Sequence, residues 1–597
     1  MINSLLRTDY YKCCHMLQYD KKISHLTSYL VPRQSRLVDI NKMVFFGLSN
    51  FINHYLIEDF NENFFYKPFD EIKEEFVDYL CGGLGYKDEQ IKQTLNEVLK
   101  LYNLGYLPIE INALPEGTIC PMQVPAIEIR TTHPSFPWVG QVIESILSSS
   151  IWHPCISATI SHQYAKIAKA AYERTVDDKV DYRTAMADFS MRGQESYESA
   201  VASSAAFLTS FFSSSTVEAA DYINRNYGGE AVEINGLVST EHSVMCSDFA
   251  INDGDERVIL KRLLTEIYPD VSFSAVLDSK DFWNVVTQIL PTLKTEIKNH
   301  EGFFGIRHDS AADPALALCG IPEIHISAEK NGLWEDFIGC NNEESFIHLF
   351  QYWLREAEPF GDEVYFKKAY ITFENKELNF SLKGVFEINS NVESERGGLT
   401  SNKYYFTDGF TAKKIREEKT PEEKGMVEVL YEIFGGELNS KGYKVVNPKV
   451  KAIYGDGITI SRADDIYRRL EAKGFAANNV SLGVGSFSMQ CIENGVRLNP
   501  FTRDTFSIAI KATYGEIMDS QGKVTSFNIF KAPKGNREKK SLTGLCKVIK
   551  RQEDGELVVL ENLTKKQYEA KEGEFIPYFK NSKSFTQDFE DIRQRLV

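Results

Sequence analysis

Apolar and polar positions alternate along the chain with two different periods. Between Val142 and Leu147 the apolar residues recur at helical spacing, and the same spacing returns between Ile160 and Ala171. Both segments are therefore predicted to be helices that pack one face against a core.

From about residue 185 onward, short apolar runs end in polar residues and are followed by helical patterns. The instances are VSFSAVLDSKDFW, GFFGIRHDSA, VKAIYGDGITISRADDIYRRL and NNVSLGVGSFS. In the third, Ser461 and Asp464 have the spacing of a helix capping box. Strands that alternate with helices predict a parallel sheet, closed or nearly closed, with its chemistry at the carboxyl ends of the strands.

These strand ends carry Asp278, Arg307, Asp309, Asp456 and Gly485. Because the carboxyl ends of parallel strands meet at one edge, the five residues are predicted to converge on one pocket. The GVGSFS turn offers backbone N–H groups for a phosphate, and GDG offers a tight turn with one carboxylate. Each residue alone can equally be an ordinary turn or cap residue, but their common register favours a site.

The series of strands and helices is interrupted between Asp309 and Asp456. Residues 321–420 include EVYFKKAYITFENKELNFSLKGVFEINSNVESERGGL, in which apolar and polar residues alternate between turn signals. Antiparallel hairpins are expected there, so residues 321–420 are predicted to form an inserted β-rich subdomain. Its root beside Asp309 raises the hypothesis that the insertion shields the pocket.

Composition excludes several classes of protein. The 597 residues are 43% hydrophobic, as in a globular protein, and 67 basic against 84 acidic residues give a net charge of −17. This balance argues against broad binding to nucleic acid or to an anionic membrane. No apolar run approaches the roughly 20 residues of a membrane span, and ten cysteines without a C-x-x-C pair fit reduced thiols. The protein is therefore expected to be soluble and cytoplasmic.

One histidine stands in a small, polar setting. His242 lies in STEHSVMCSDF, residues 239–249, and is one of only 11 histidines in the chain. Such a histidine is available for proton or phosphoryl chemistry, although a lone histidine is more often a hydrogen-bonded structural residue.

Further segments are spread over nearly the whole chain in a fixed order. They are TDYYK, LPIEINALPEG, DFSMRG, TEHS, DSKDFW, IRHDS, GYKVVNPKVKAIYGDGITI, LGVGSFSMQ, TRDTFSIAIKATY and NIFK. Together these segments resemble the nicotinamide phosphoribosyltransferase family of type II phosphoribosyltransferases. Only the insertion lacks a counterpart in the shorter animal-type members, whereas some microbial and viral members carry extra sequence there.

The resemblance implies a fold and an activity. The expected fold is α/β: an irregular, incomplete βα barrel over residues 161–504, and a second α+β domain in which residues 1–160 are completed by residues 505–597. The expected enzyme is a homodimeric pentosyltransferase with its active site at the subunit interface. It would transfer the phosphoribosyl group of phosphoribosyl pyrophosphate to nicotinamide, giving nicotinamide mononucleotide and pyrophosphate in NAD salvage.

The resemblance also implies roles for individual residues. ATP is expected to phosphorylate His242 and so stimulate transfer, with the adjacent Glu241 as a candidate to orient the ring. Phe189 and Tyr11 of the partner subunit are expected to sandwich the pyridine ring. The groups implied at the reacting atoms are His242, Asp278, Arg307 and Asp309. The implied substrate-binding groups are Tyr11, Phe189, Arg192, Ser215, Gly455, Asp456, Gly485 and Ser486. The implied pyrophosphate-binding cations are Arg33, Arg503, Lys511 and Lys531.

Magnesium is expected because pyrophosphate leaves more easily when it is bound to metal. Asp278 and Asp309 are the nearest candidate ligands, direct or through water, and the sequence does not establish that a side chain holds the metal.

The chain departs from the family pattern at three places. In SSSTVEAADYI, Ser215 stands where nicotinamide enzymes carry an aspartate that accepts from the carboxamide; a serine can donate to a carboxylate and carries no repelling charge. In IRHDSAAD, His308 and Ala311 replace a proline and a glycine. In GVGSFS, Ser486 and Phe487 stand where animal-type members are richer in glycine.

Three alternatives stay open. Ser215 favours a nicotinate phosphoribosyltransferase or relaxed specificity, against the nicotinamide activity that the whole chain favours. A catalytically lapsed relative, with a nucleotide-sensing pocket or a protein-binding insertion, would be supported by loss of His242, Arg307, Asp309 or Lys511, and all four are present. An unrelated barrel enzyme acting on another phosphorylated sugar would share the strand-end loops but not the ordered motifs.

Overall fold

The computed structural model of the protein describes residues 2–229, 236–330, 332–356, 368–397, 401–494, 497–531 and 541–597. Two seven-stranded sheets and one four-stranded sheet dominate this part of the chain. The two large sheets share one hydrophobic core, which the four-stranded sheet does not join.

The first large sheet is entirely parallel. In spatial order its strands are Ser213–Ser214, Met186–Phe189, Val480–Gly485, Val450–Tyr454, Phe304–His308, Phe273–Val276 and Val238–Ser239. This is the cyclic strand order of a βα barrel, and within the described residues the two edge strands do not pair to close it. The prediction of an irregular, incomplete barrel is confirmed.

Helices connect the parallel strands because, after each strand, the chain must return to the opposite edge of the sheet before the next parallel strand can begin. Alternate strand residues such as Phe304 and Ile306 are fully buried in the core, and the intervening Gly305 and Arg307 lie on the other face. The connecting helices are Tyr197–Phe207, Val217–Asn226, His242–Ile251, Arg257–Arg262, Leu263–Ile267, Phe282–Asn284, Val285–Ile289, Leu290–Leu293, Lys294–Asn299, Pro314–Cys319, Met426–Phe434 and Ile460–Ala472, followed by Ser486–Gln490 after the last strand.

Two local predictions need correction. The helix Ile460–Ala472 is capped by Thr459, whose side chain accepts from the Arg462 N–H, so the capping box predicted at Ser461 was placed two residues late. The predicted helix from Val142 to Leu147 begins in the short helix Val139–Val142 and continues into the helix Glu144–Thr175. This second helix contains Pro154 and also includes the predicted helix from Ile160 to Ala171. Helical spacing identifies a buried face but does not show whether the helix is interrupted.

The second large sheet is antiparallel and takes strands from both ends of the chain. In spatial order these are Val524–Asn528, Ala509–Met518, Ile23–Val31, Ile127–Thr131, Ile109–Ala113, Ile576–Lys580 and Lys583–Ser584. The helices Phe69–Leu84 and Asp88–Leu104 precede Ile109–Ala113 along the chain. The helix Glu144–Thr175 crosses the expected limit at residue 160, and the domain limits themselves stay a prediction.

Short elements complete the two large units. The remaining helices are Ser4–Leu6, Tyr10–Cys14, His15–Gln18, Leu48–Asn50, Phe51–Asp59, Asn61–Phe65, Val139–Val142, Tyr182–Thr184, Met191–Gly193, Ala477–Asn479, Arg503–Thr505, Lys565–Ala570 and Phe589–Gln594. The remaining strand pairs are Lys42–Val44 with Ile119–Pro121, Gly436–Leu438 with Lys444–Val446, Cys491–Asn494 with Arg497–Pro500, and Leu545–Lys550 with Leu557–Leu563. Across the described ranges, no helix is long and apolar enough to cross a membrane. All ten cysteines lie within the described ranges, and no disulfide joins them there.

The insertion forms a four-stranded sheet with its own core. Its strands are Glu323–Ser327, Lys368–Asn375, Phe380–Gly397 and Ser401–Arg416, and its helices are Glu335–Gly339 and Glu343–Glu356. The last three strands are antiparallel, but the first two are parallel. The predicted antiparallel hairpins are therefore confirmed, whereas the parallel pairing of the first two strands, between which the helix Glu343–Glu356 crosses over, was not predicted.

The insertion is joined to the rest of the chain at the amino edge of the parallel sheet, and this junction is called its root. Lys473 lies at the end of the helix that runs back from the carboxyl edge, and its Nζ donates to the carbonyl of Cys319 and to Glu428 Oε2. Lys419, the last lysine of the insertion, pairs with Glu428 at 2.6 Å. The root thus lies on the opposite side of the sheet from the strand ends, which argues against shielding of the pocket in the same chain.

Candidate active site

Asp278 is the centre of the hydrogen bonds at the carboxyl edge of the parallel sheet. It follows the strand Phe273–Val276, and its side chain is only 3% exposed. Its Oδ2 accepts from the Asp309 N–H at 2.9 Å, the Ser310 N–H at 2.8 Å and the Ser310 hydroxyl at 2.6 Å. Burial opposes ionisation of Asp278, but these hydrogen bonds and the neighbouring His308 hold its pKa below the ordinary value.

His242 faces the other oxygen of this carboxylate. It is the first residue of the helix His242–Ile251, its side chain is 48% exposed, and its Nε2 lies 3.2 Å from Asp278 Oδ1. An ionised carboxylate only accepts, so the contact assigns the ring proton to Nε2 and the lone pair to Nδ1. Glu241 instead accepts from the Ser243 hydroxyl, so the carboxylate that contacts the ring is Asp278.

Arg307 and Asp309 form an ion pair beside this network. Arg307 Nε donates to Asp309 Oδ2 at 3.1 Å, and its terminal nitrogens donate to the Ser239 hydroxyl and the Thr240 carbonyl. Asp309 Oδ1 is buried and accepts no hydrogen bond from the part of the chain that the structure describes. Burial raises the pKa of Asp309, the Arg307 charge lowers it, and the Asp278 and Asp456 charges raise it. The carboxyl therefore offers one oxygen without a protein donor.

The GDG turn is shaped by its neighbour. A Cβ at Gly455 would lie 2.7 Å from Asp309 Oδ1, so glycine alone fits against this carboxyl without displacing it. Asp456 follows at the same edge and is exposed. Strand pairing thus brings the predicted carboxylates Asp278, Asp309 and Asp456 to one edge.

The other side of this edge combines an aromatic ring with open space. Gly485 pairs with Phe189 across adjacent parallel strands, and a Cβ built at Gly485 would meet nothing within 4 Å. Ser486 packs so closely on Gly193 that a Cβ there would lie 2.7 Å from the Ser486 Cβ. Arg192, between Phe189 and Gly193 in the sequence, is exposed.

Ser215 lies beside Phe189 at the sheet edge. Its N–H donates to the Asp188 carbonyl at 2.9 Å, and its side chain is exposed. The fully buried Asp188 accepts from the Ser214 hydroxyl at 2.8 Å and from the Ser190 N–H at 3.0 Å. Sequence reasoning missed Asp188, although it stands next to Phe189 in the DFSMRG motif.

The four predicted pyrophosphate-binding cations line a separate cavity of about 410 Å³ on the antiparallel sheet. Arg33 donates to the Ser507 carbonyl, and Lys511 Nζ lies 3.6 Å from Glu144 Oε1. Arg503 contacts only its exposed neighbour Asp504 at 3.1 Å among the ion pairs of the described chain. The charged residues of this cavity are Arg33, Glu144, Arg503, Lys511, Lys531 and Glu561.

Tyr11 lies near this cavity rather than near Phe189. The tyrosine is 60% exposed on the short helix Tyr10–Cys14, and the next residue, the buried Lys12, pairs with Glu144 at 2.6 Å. No ring contact joins Tyr11 to Phe189 in the described single chain. Lys12 and Glu144 were also missed from the sequence, since neither stands at a strand end or in a glycine turn.

The described residues contain no group of three or more His, Cys, Asp or Glu side chains arranged to hold a metal ion. Asp278 Oδ2 already accepts three hydrogen bonds from protein donors, whereas Asp309 Oδ1 accepts none from the described residues. Mg²⁺ commonly takes one or two carboxylates and completes its coordination with substrate phosphates and water. The edge therefore fits Mg²⁺ only through Asp309 or Asp456 together with a phosphorylated ligand.

The strand ends present carboxylates next to open space, and the separate cavity presents basic side chains. Together these two regions can accommodate a ligand that carries both a sugar and phosphate groups. The chain matches the profile "Nicotinate phosphoribosyltransferase (NAPRTase) family" over residues 184–333 and 395–568, more than half of its length. It also matches "Nicotinamide phosphoribosyltransferase, N-terminal domain" over residues 3–111. The chain belongs to the nicotinate phosphoribosyltransferase family, and the predicted resemblance is confirmed.

Relatives resemble the chain over most of its length. A "Nicotinamide phosphoribosyltransferase" of Acinetobacter baylyi is 30% identical over 609 residues, covering 100% of this chain and 97% of the relative. One of Mycoplasma pneumoniae is 25% identical over 527 residues, covering 86% and 89%. The solved structure "human Nicotinic Acid Phosphoribosyltransferase" covers 99% of this chain and 93% of that chain with 12% identity and a TM-score of 0.46.

Proposed function

We propose that the protein is a nicotinamide phosphoribosyltransferase of NAD salvage, which makes nicotinamide mononucleotide and pyrophosphate from nicotinamide and phosphoribosyl pyrophosphate. The observation that carries the proposal is the placement of Asp309 Oδ1, a buried carboxyl oxygen without a donor, at the strand edge that also holds Phe189 and Gly485. The Acinetobacter baylyi relative, similar over the whole chain, supports the choice of nicotinamide.

The chemistry requires few proton transfers. The pyridine nitrogen attacks the anomeric carbon as pyrophosphate leaves, and positive charge develops on the sugar. Asp309 and Asp456 would stabilise that charge, Phe189 would hold the ring, and the open backbone at Gly485 with Ser486 would receive the ribose phosphate. Arg192 and Arg307 would face the substrate from the same edge.

The proposal includes a homodimer with shared active sites. In one chain, Phe189 and Asp309 lie at the parallel sheet, whereas Tyr11 and the four cations lie at the antiparallel sheet. A twofold dimer would place the cation cavity and Tyr11 of the partner subunit against this edge. The cations would then stabilise the leaving pyrophosphate. Asp309 or Asp456, together with the phosphorylated substrate, would hold Mg²⁺, which would supply further neutralisation of the diphosphate charge.

ATP stimulation through His242 is also part of the proposal. The half-exposed ring has its Nε2 held by Asp278, which leaves Nδ1 available to accept a phosphoryl group. His242→Ala is expected to retain transfer without ATP and to lose the additional rate that ATP provides. His325→Ala, on the exposed surface of the insertion, serves as the matched control. An undiminished ATP effect in His242→Ala would contradict a phosphohistidine at this position.

Nicotinate is the second candidate substrate. The exposed Ser215 hydroxyl lies beside Phe189 and can donate to a carboxylate, and the family profile is described by its nicotinate members. We place the enzyme in the cytoplasm, where its cysteines would stay reduced.

The test is a paired assay of the purified protein with phosphoribosyl pyrophosphate, Mg²⁺ and ATP, offering nicotinamide in one reaction and nicotinic acid in the other. Mononucleotide from nicotinamide alone is the expected result. Product from nicotinic acid alone would assign base selection to Ser215, and Ser215→Asp should then shift preference towards the amide. Product from neither base would favour a catalytically lapsed protein.

A further inference from the structure

A second histidine lies against Asp278. His308 ends the strand Phe304–His308, its side chain is 10% exposed, and its Nδ1 lies 3.8 Å from Asp278 Oδ2. This Nδ1 is buried and has no hydrogen-bond partner among the described residues. Asp278 thus stands between two imidazoles, with His242 at one oxygen and His308 near the other.

Aromatic neighbours fix the ring of His308. It stacks on Tyr454 with centroids 5.8 Å apart and planes inclined by 13°, and Phe282 meets it edge-on at 4.2 Å. Tyr454 is held in turn by a hydrogen bond from its hydroxyl to the Ala311 carbonyl. The ring is therefore confined between two elements, with Nδ1 directed towards the carboxylate.

The separation of 3.8 Å is too long for a hydrogen bond, so a small movement of Asp278 or of the ring is needed to form one. A buried nitrogen without a partner is unfavourable, which favours a closer contact in which Nδ1 shares Asp278 Oδ2 with its three present donors. The Nδ1 that faces Asp278 can act as an N–H donor to this carboxylate, which only accepts.

We infer that His308 is a positioning residue, which holds Asp278 in line with His242 while His242 receives and carries a phosphoryl group. The inference rests on the proposed phosphorylation of His242. His308 does not touch the reacting atoms; it acts by fixing the carboxylate that contacts the reacting ring.

The chemical step shows why alignment of Asp278 matters. The Nδ1 lone pair of His242 attacks the γ-phosphorus of ATP, an N–P bond forms, and the bond to the bridging oxygen breaks so that its electron pair leaves with ADP. The ring still carries the proton on Nε2 and has become a cation. Asp278 Oδ1, which accepts from that N–H, balances the new charge.

Two substitutions separate positioning from packing. His308→Phe keeps an aromatic ring between Tyr454 and Phe282 but removes the nitrogen, whereas His308→Asn restores an N–H donor near the position of Nδ1. The readout is the initial rate at which labelled phosphate from γ-labelled ATP appears on His242 in the full-length protein. Thermal unfolding of each variant is followed in parallel, and His325→Phe is the control.

We expect His308→Phe to slow labelling about tenfold, the effect of one hydrogen bond to a charged group, and His308→Asn to recover to within roughly threefold of the wild-type rate. Equal rates in wild type and His308→Phe would overturn the inference. Equal slowing in both variants would also overturn it, because packing would then be the cause, and so would a wild-type protein that is not labelled at all.

Transfer without ATP is measured on the same samples to test the proposed function separately. A wild-type protein that is labelled on His242 but makes no mononucleotide would contradict the transferase activity. The labelling rates of the His308 variants would still decide the role of His308.

Discussion

The strand-end cluster and the cation cavity differ in how their charged groups are held. At the strand ends, Asp278 Oδ2 accepts three hydrogen bonds, and Arg307 donates to Asp309, Ser239 and Thr240. In the cavity, Arg503 pairs only with an exposed neighbour among the described residues, and the side chain of Lys511 is 48% exposed. The first group is organised before any ligand arrives, whereas the second presents positive charge to solvent.

This difference matches two kinds of chemistry. Stabilising a short-lived charge on a sugar requires groups that need no rearrangement, because reorganisation would add to the barrier. Binding a diphosphate requires concentrated positive charge, and mobile side chains can supply it. We therefore expect changes at the strand ends to affect kcat most, and changes in the cavity to affect the KM for phosphoribosyl pyrophosphate most.

Asp309→Asn should have the largest effect. It keeps the shape of the side chain but removes the charge that the proposal places beside the developing cation, so kcat should fall about 10²–10³-fold. Asp464→Asn, which only breaks an exposed pair with Arg468, is the control. A loss of less than about threefold would exclude Asp309 from the electrostatic role.

Lys511→Ala combined with Lys531→Ala should have the next largest effect, and on KM rather than kcat. Removing two contacts to a diphosphate should raise the KM for phosphoribosyl pyrophosphate about 10- to 100-fold. The effect should shrink at high ionic strength, because salt already screens the cations in the wild type. Lys523→Ala, on an exposed turn, is the matched control, and an unchanged KM would separate the cavity from the substrate.

Gly455→Ala should lower kcat about tenfold with little change in KM, since its Cβ would lie 2.7 Å from Asp309 Oδ1 and displace that carboxyl. Gly82→Ala is the control, because a Cβ there meets nothing within 4 Å. Full activity in Gly455→Ala would show that the position of Asp309 is less critical than its charge.

The pH dependence of activity tests the charge of Asp309 without a substitution at that residue. Burial raises the pKa of Asp309, so the active carboxylate should be lost, as pH falls, at a higher pH than for an ordinary aspartate. Arg307 lowers this pKa, and Arg307→Gln should therefore move the acid limb of kcat/KM to still higher pH. If the acid limb of the Arg307→Gln variant stays in place or moves to lower pH, a group other than Asp309 is responsible for it.

Deleting residues 323–419 should have the smallest effect. The flanking chain ends are close, since the Ile321 N–H donates to the Glu423 carbonyl at 2.9 Å, and the root lies opposite the strand ends. Both kinetic constants should stay within about twofold. The melting temperature should fall, because Glu423 loses its partners Lys368 and Arg416. A large loss of kcat would revive the hypothesis that the insertion covers a site.

The sequence predicted the strand-end cluster well because period and turn signals act locally. Asp278, Arg307, Asp309 and Asp456 each follow an apolar run, and parallel pairing then brings them together. Asp188 was missed because its carboxylate lies on the buried face, where its partner Ser214 comes from a different strand. Lys12 and Glu144 were missed for a similar reason: 132 residues separate them along the chain, and only the tertiary fold joins them.

The insertion shows the same limit on a larger scale. Alternation of apolar and polar residues correctly indicated strands, but not that the strand Lys368–Asn375 would pair in parallel with Glu323–Ser327. Pairing direction depends on the connection, and the helix Glu343–Glu356 had not been recognised there.

The unbroken helix Glu144–Thr175 connects the cation cavity to the parallel sheet. Glu144 at its start lines the cation cavity, and Thr175 at its end accepts from the Ala477 N–H beside the parallel sheet. At a rise of about 1.5 Å per residue, the helix spans roughly 48 Å. Adding or removing one residue within it would turn Glu144 by about 100° relative to the barrel. The spacing of the two regions is therefore fixed by the length of a single helix.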